Sequence, residues 1–326
     1  MDRGRERTFC PMLLSVQGLT KRFPVHRGLF GGTEQYVSAV QDVSFAMDRG
    51  EVLGVVGESG CGKSTLGRCV VGLYRPTEGK VLWEGQDLSG LTKDQKRSLQ
   101  SRYQMVFQNP FSSLNPRQKV RAILEEPLMV HGLKDRNLRM GLVQEWILKV
   151  GLSRSDLDKF PHEFSGGQRQ RINLARALIS RPDAIVLDEP VSSLDVSVQA
   201  SILNLLRRMN QETGVGYFFI SHDLQVVGYL SHRILVMYLG QVVEQGDTAE
   251  VLRSPRHPYT MALLAASSNQ GKILQGEPPS PTQVPPGCPF SSRCPHVEDR
   301  CRIEKQPLRP LSEGWAAACW KWDHIN

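Results

Sequence analysis

The sequence predicts an α/β protein organised around a mainly parallel sheet, and three observations lead there. Short apolar runs at 51–56, 184–187 and 216–221 alternate with segments of helical period about ten residues or longer. The first run leads directly into Gly57-Glu-Ser-Gly-Cys-Gly-Lys-Ser-Thr65, which fits the pattern G-x-x-x-x-G-K-S. Residues 64–73 then read as a helix, completing the strand–loop–helix order that such a loop requires.

The remaining elements follow in order. Residues 13–17, 36–45 and 80–84 read as strands joined by turns, and 89–104 as a charged helix. A strand at 102–108 ends on Gln108, and two Asn-Pro pairs mark 109–116 as a loop. Helical periodicity at 118–131 and 136–150 makes the stretch 117–164 a helical insertion into the sheet core. Beyond it, a buried strand at 184–187, a helix at 196–213 and a second buried strand at 216–221 complete the alternation. Two further strands, 233–238 and 241–245, flank a turn at Gly240. From about residue 271 the composition shifts, and Pro278, Pro279, Pro281, Pro285 and Pro286 make a stiff linker to a small cysteine-bearing module. No internal repeat is present.

Bulk properties narrow the class. A chain of 326 residues, 40% hydrophobic and 22% charged, can bury a substantial core in one or two domains and is ordinary for a globular protein. No apolar run reaches the length of about 18 residues that would span a bilayer. Arg3, Arg5 and Arg7 are not followed by the apolar stretch of a secretory signal, so a cytoplasmic location is expected. The net charge of +7 is spread along the chain, apart from groups such as Arg169, Arg171 and Arg176 on one helix. Without interleaved aromatics this argues against nucleic-acid binding and leaves contact with anionic lipid as a secondary reading.

The loop carries the chemistry. Its residues Gly57, Glu58, Ser59, Gly60, Cys61, Gly62, Lys63, Ser64 and Thr65 can curl backbone N–H groups around the β- and γ-phosphates of a nucleoside triphosphate. Lys63 adds a point charge, and the Ser64 hydroxyl can ligate Mg²⁺. Cys61 lies inside this loop, so thiol reagents are expected to reach it and to inhibit.

Further along comes Ser165-Gly166-Gly167-Gln168, then the apolar run that ends in Asp188-Glu189, Ser192-Ser-Leu-Asp195, and His222 after Tyr217-Phe-Phe-Ile-Ser221. With these motifs in this order, the chain resembles the ATP-binding subunits of ABC transporters over roughly residues 12–265. The resemblance implies a P-loop NTPase (RecA-like) core, an antiparallel β subdomain and a helical signature subdomain at about 110–165. It implies that Asp188 holds Mg²⁺ together with Ser64 and Gln108, that Glu189 is general base, and that His222 contacts the γ-phosphate. Asp195 stands in the D-loop. Ser165, Gly166, Gly167 and Gln168 are implied to meet the ATP held by the opposite subunit, so that two subunits close head to tail. Phe23, in Thr20-Lys-Arg-Phe23, is the candidate for stacking on adenine, with Tyr36 as alternative because 24–35 reads as an insertion.

Within that family, Ser254-Pro-Arg-His-Pro-Tyr-Thr260 and the segment 266–326 resemble the oligopeptide/dipeptide permease branch, and Val191-Ser-Ser with the stretch Asn109–Pro116 resembles its F-type subunit. The resemblance implies peptide import with a second, D-type ATPase, two membrane permease subunits and an extracytoplasmic substrate-binding protein, with this chain peripheral at the cytoplasmic face. Nickel or glutathione importers share much of the pattern, and a soluble ABC-type ATPase is the rival class. Phe111 and Leu114 are candidate apolar anchors for the permease.

Seven cysteines are present, and Cys288, Cys294, Cys301 and Cys319 cluster in the C-terminal module with spacing C-x5-C-x6-C-x17-C. Disulfides are disfavoured in a reducing compartment, so a metal site is the reading, although the spacing is not that of a paired C-x2-C zinc ribbon. Cys288-Pro and Cys294-Pro are similar to the Cys-Pro pairs of iron–sulfur proteins. The family resemblance implies a [4Fe–4S] cluster; zinc and unligated thiols stay open.

Overall fold

The structure, a computed structural model, describes residues 12–25, 35–108, 113–267, 276–282 and 284–323. Two long strands open the described chain, β1 (Met12–Val25) and β2 (Gln35–Asp48). β3 (Val52–Val56) and α1 (Lys63–Val70) flank the phosphate loop. Next come β4 (Glu78–Trp83), β5 (Gln86–Asp87), α2 (Lys93–Arg102) and β6 (Tyr103–Val106). The helical insertion supplies α3 (Val120–Val130), α4 (Arg136–Lys149) and α5 (Gly166–Leu178). The core resumes with β7 (Ala184–Asp188), α6 (Val196–Thr213), β8 (Gly216–Ser221) and α7 (Leu224–Leu230). β9 (Arg233–Tyr238), β10 (Gln241–Asp247), α8 (Thr248–Arg253) and α9 (Pro258–Ser267) close it. The C-terminal module adds α10 (Asp299–Ile303), β11 (Arg309–Ser312) and β12 (Trp315–Ala317).

Two sheets result. One is antiparallel with order β2-β1-β4-β5; the other has order β11-β12-β10-β9-β3-β8-β7-β6. In the larger sheet β9, β3, β8, β7 and β6 run parallel, as the alternation of strands and helices requires. Their side chains alternate between two apolar cores. Val52, Ile185, Phe219 and Ile234 face the core shared with the helical insertion. Leu53, Val186, Phe218 and Leu235 face the core under the antiparallel sheet. A strand buried on both faces reads as a continuous apolar run, which is why these were the clearest strands in the sequence.

β1 runs well past the expected 13–17. Register shifts between Val16 and Leu19 and between Leu19 and Lys21 break its period-two pattern, so alternation marks only its first part. Segment 266–326 does not stand apart, because β12 pairs with β10 and extends the core sheet. Leu114 is 2% exposed and packed inside the chain's own core, so it is not a surface anchor. Phe111, residues 26–34 and Cys10 lie outside the described residues.

The junction between cassette and C-terminal region is a buried polar knot. The Glu244 carboxylate, fully buried, accepts the Arg256 and His257 N–H groups at 2.8 and 2.9 Å and the Trp315 indole N–H at 3.1 Å. His257 Nδ1 accepts the Tyr259 N–H at 3.1 Å, so that nitrogen carries no proton. Burial pushes the His257 pKa down from 6.5 to about 3. Between those values the unfolded chain takes up a proton that the folded one refuses, so this contribution to stability is complete above the unfolded pKa and fades as pH falls. Urea unfolding at pH 7 and pH 5 should therefore show a loss on acidification that is about 2 kcal/mol smaller in His257→Gln, whose amide oxygen can still accept the Tyr259 N–H. An equal loss in both proteins would contradict a neutral buried imidazole.

Candidate active site

Parallel strands present all their carboxyl ends at one edge, and the connections leaving β3, β6, β7 and β8 meet there. A cleft of about 220 Å³ at this edge is lined by residues 59–65 of the phosphate loop, Gln108, Glu189, Val37, Leu239, Gly240 and Pro281. The loop's shape depends on Gly62, whose φ of 108° is closed to most side chains. A Cβ there would also lie 2.1 Å from the Ala39 carbonyl oxygen.

Lys63 is 4% exposed, and its ammonium donates to the Gly57 and Glu58 carbonyls at 2.7 and 2.9 Å. Ser64 Oγ donates to Asp188 Oδ1 at 2.7 Å, tying the loop to the end of β7. Burial raises the Asp188 pKa, opposed by the hydrogen bond from Ser64 and by the Arg68 and Lys63 charges. Glu189 sits in the left-handed region at φ 47°, held by its N–H to the Ile220 carbonyl at 3.0 Å. A non-glycine residue held there stores about 1–3 kcal/mol, a cost that clusters at functional sites. Its carboxylate accepts from Gln108 Nε2 at 3.0 Å, and His222 Nδ1 lies 3.2 Å from the same oxygen. Groups from three distant stretches of the chain, Gln108, the adjacent Asp188 and Glu189, and His222, thus converge beside the loop. Ser64 and Asp188 with the Gln108 amide form a hard-oxygen set that fits Mg²⁺. Glu189, nearly buried beside the cleft, has the reach of a general base.

Other expected residues lie elsewhere. Phe23 packs edge-on against Tyr74 at 5.4 Å with Lys21 Nζ 5.0 Å from its ring centre, and does not line the cleft. Tyr36, 46% exposed, directly precedes the cleft residue Val37. Cys61 does line the cleft, but its side chain is buried and burial raises its pKa, which works against the thiolate that the expected thiol sensitivity needs. Asp195 caps α6, accepting from the Val198 N–H at 3.0 Å and the Ser197 hydroxyl at 2.7 Å.

Ser165, Gly166, Gly167 and Gln168 do not line this chain's cleft. They form the start of α5, with Ser165 and Gln168 exposed, Gly166 half-buried and Gly167 buried, and Ser165 and Gln168 make a reciprocal capping box. Gly167 is fixed by space, since a Cβ would meet Val198 Cγ1 at 2.4 Å. The arginines of α5 are spent internally rather than on a lipid or nucleic-acid surface. Arg169 Nε donates to the Phe164 carbonyl at 2.9 Å, Arg171 to Val150 and Ser201, and Arg176 to the Ser113 carbonyl at 3.0 Å.

Cys288, Cys294, Cys301 and Cys319 line one small cavity with Phe290, Trp320 and His257. All four are free thiols. Burial, with a smaller push from the neighbouring cysteines, raises Cys288 to about 12 and Cys294 to about 11. The all-sulfur set matches the donors that soft metals and iron–sulfur clusters take. No cluster of metal-ligating side chains among the described residues is arranged to hold an ion, so the [4Fe–4S] expectation is not borne out at this level. Leu239 and Pro281 were not anticipated at the cleft; the turn at Gly240 and the proline run were the only signals.

Comparisons with known proteins agree with this geometry. Residues 40–192 match the family described as "ABC transporter", and residues 243–301 match "Oligopeptide/dipeptide transporter, C-terminal region". A probable peptide ABC transporter ATP-binding protein of Sinorhizobium fredii, y4tS, is 49% identical over 94% of this chain and 89% of its own length. The dipeptide transport ATP-binding protein DppF of Escherichia coli is 45% identical over 98% of this chain and 97% of its own. Among solved structures, the dimeric post-hydrolysis ATP-binding cassette MJ0796 bound to ADP and Pi superposes with a TM-score of 0.64 at 27% identity, covering 72% of this chain and 99% of that one. Motifs, fold, site geometry and relatives converge: the chain belongs to the ABC transporter family, as an ATPase cassette carrying the oligopeptide/dipeptide transporter C-terminal region.

Proposed function

We propose that this chain is the F-type ATPase subunit of an ABC importer of di- or oligopeptides. It works head to tail with a second, D-type ATPase at the cytoplasmic face of the membrane, beneath two permease subunits fed by an extracytoplasmic binding protein. The observation that carries the reading is the Gln108–Glu189–His222 set beside the phosphate loop, in a chain whose relatives include peptide transport ATP-binding proteins over nearly its whole length. No helix among the described residues is long and apolar enough to cross a membrane.

The roles follow from placement. Lys63 neutralises phosphate charge, and Ser64, Asp188 and Gln108 would hold Mg²⁺, which offsets phosphate charge when bound. Glu189 takes a proton from the attacking water, and His222 orients that water. Ser165, Gly166 and Gly167 offer the start of α5 to the companion's triphosphate, where helix N–H groups favour an anion. Asp195, as α6 cap, stiffens the turn after the carboxylates at that dimer face. Tyr36 is the better placed aromatic for adenine. Residues 12–265 act as the cassette and 266–326 as its extension. The four C-terminal thiols share one cavity without yet being drawn around a common point, and on closing together would hold a soft metal, with [4Fe–4S] preferred over zinc for their Cys-Pro pairs.

A groove between core and helical insertion, lined by Leu73, Phe107, Pro127 and Val130, offers the permease an apolar seat. Leu73, Phe107 and Val130 are 54%, 40% and 51% exposed.

Three measurements test these assignments. Glu189→Gln should lower ATP turnover about 10²–10⁴-fold while ATP binding persists; turnover within a few-fold of wild type would remove the base. Val130→Asp should spare ATPase activity of the subunit and abolish peptide uptake by the assembled transporter, and parallel loss of both would displace the docking groove. Protein purified anaerobically should carry iron and sulfide with a visible charge-transfer band that Cys294→Ser removes. Zinc without colour would select the alternative, and neither metal would leave the thiols unligated.

A further inference from the structure

The thiol-bearing module touches the phosphate loop directly. Arg293, one residue before Cys294, has a side chain only 4% exposed. Its guanidinium makes two bonds to the Glu58 carboxylate, Nη1 to Oε2 at 2.8 Å and Nη2 to Oε1 at 3.0 Å. Nη1 also lies 3.3 Å from the Tyr238 hydroxyl, and the guanidinium carbon is 5.9 Å from the ring centres of both Tyr238 and Phe290. Bidentate, charge-assisted pairing by an enclosed guanidinium fixes geometry more tightly than a surface ion pair does.

Glu58 is the second residue of the phosphate loop and is held at three further points. Its N–H donates to the Tyr259 hydroxyl at 2.8 Å. Its carbonyl accepts from Lys63 Nζ at 2.9 Å and from the Cys61 N–H at 3.3 Å. Two of its anchors, Tyr259 and Arg293, therefore come from the C-terminal part of the chain, whereas Lys63 belongs to the loop itself. The position of Arg293 is in turn set by the module's own turns: its N–H donates to the Phe290 carbonyl at 3.0 Å, and the Cys288 N–H to the Cys301 carbonyl at 2.7 Å.

The charge is as informative as the geometry. A loop that receives phosphates through N–H groups and a lysine gains nothing from a carboxylate, which repels the same anion. Paired with Arg293, that carboxylate is neutralised and drawn to the module side. We propose that Arg293 is a positioning residue for nucleotide binding: the C-terminal module latches the phosphate loop through Glu58, so the affinity of the cassette for ATP depends on that module being in place. The proposal rests on the reading of this chain as an ATPase and adds a residue that no motif of the cassette contains.

The test uses the full-length chain, with binding of a fluorescent ATP analogue and steady-state ATPase kinetics measured together. Arg293→Gln should weaken analogue binding and raise KM for ATP about tenfold, with kcat changed less than about threefold. Arg293→Lys, which keeps the charge but not the fork, should recover part of the loss. Glu58→Gln in the Arg293→Gln background should weaken binding little further, because the pair it would break is already gone. Unchanged KM and binding in Arg293→Gln, a fall confined to kcat, or a double variant whose losses multiply would each overturn the latch. Should Arg293→Gln fail to give a native circular-dichroism spectrum and melting transition, the comparison passes to Glu58→Gln alone, where the latch predicts weaker analogue binding and unchanged affinity refutes it. Lys63→Ala separates the two levels: if wild type and this variant hydrolyse ATP equally, the ATPase reading itself has failed.

Discussion

Five parallel strands buried on both faces leave no room for chemistry except at one edge. Every polar group of the site gathers there, at the carboxyl ends of β3, β6, β7 and β8. Asp188 and Glu189 are 2% and 9% exposed, and each survives burial only by being hydrogen-bonded, Asp188 to Ser64 and Glu189 to Gln108. The strand order helps. β8 lies between β3 and β7, so the residue leaving β8, His222, is delivered to Glu189 at the end of β7.

Guanidinium groups tie the helices of the insertion to one another, and Arg171 also reaches the core through the Ser201 hydroxyl of α6. Arg171 and Arg176 bond carbonyls at the ends of other segments, and Arg169 grips Phe164, the residue just before Ser165. The start of α5 is therefore carried on a rigid arm and not on a loose loop. Such an arm suits the role proposed for this surface, meeting another subunit's phosphates with fixed geometry.

Much of this was legible in the sequence because it is local. Loop residues 57–65, the doubly buried strands and the carboxylate pair at the end of β7 are written in consecutive residues, and local patterns survive translation into structure. What was illegible is long-range or depends on which face a residue takes. Phe23 was credited with the base contact, but strand register turns it towards Tyr74. Leu114 looked like an exposed anchor in a proline-bounded loop and is instead part of the core. Cys61 looked reactive by its neighbours, yet burial outweighs the nearby lysine. The pairing of Glu58 with Arg293 spans 235 positions, and neither residue carries a pattern that points to the other.

The two short C-terminal strands have a consequence of their own. Without them β10 would be the open margin of the large sheet, a row of unpaired amides ready to zip onto a neighbouring molecule. β12 covers part of that row, and the outermost strand, β11, contains Pro310, which has no N–H to offer a further strand. The tail thus acts as a selvedge, finishing the weave so that the cassette does not ravel into aggregates.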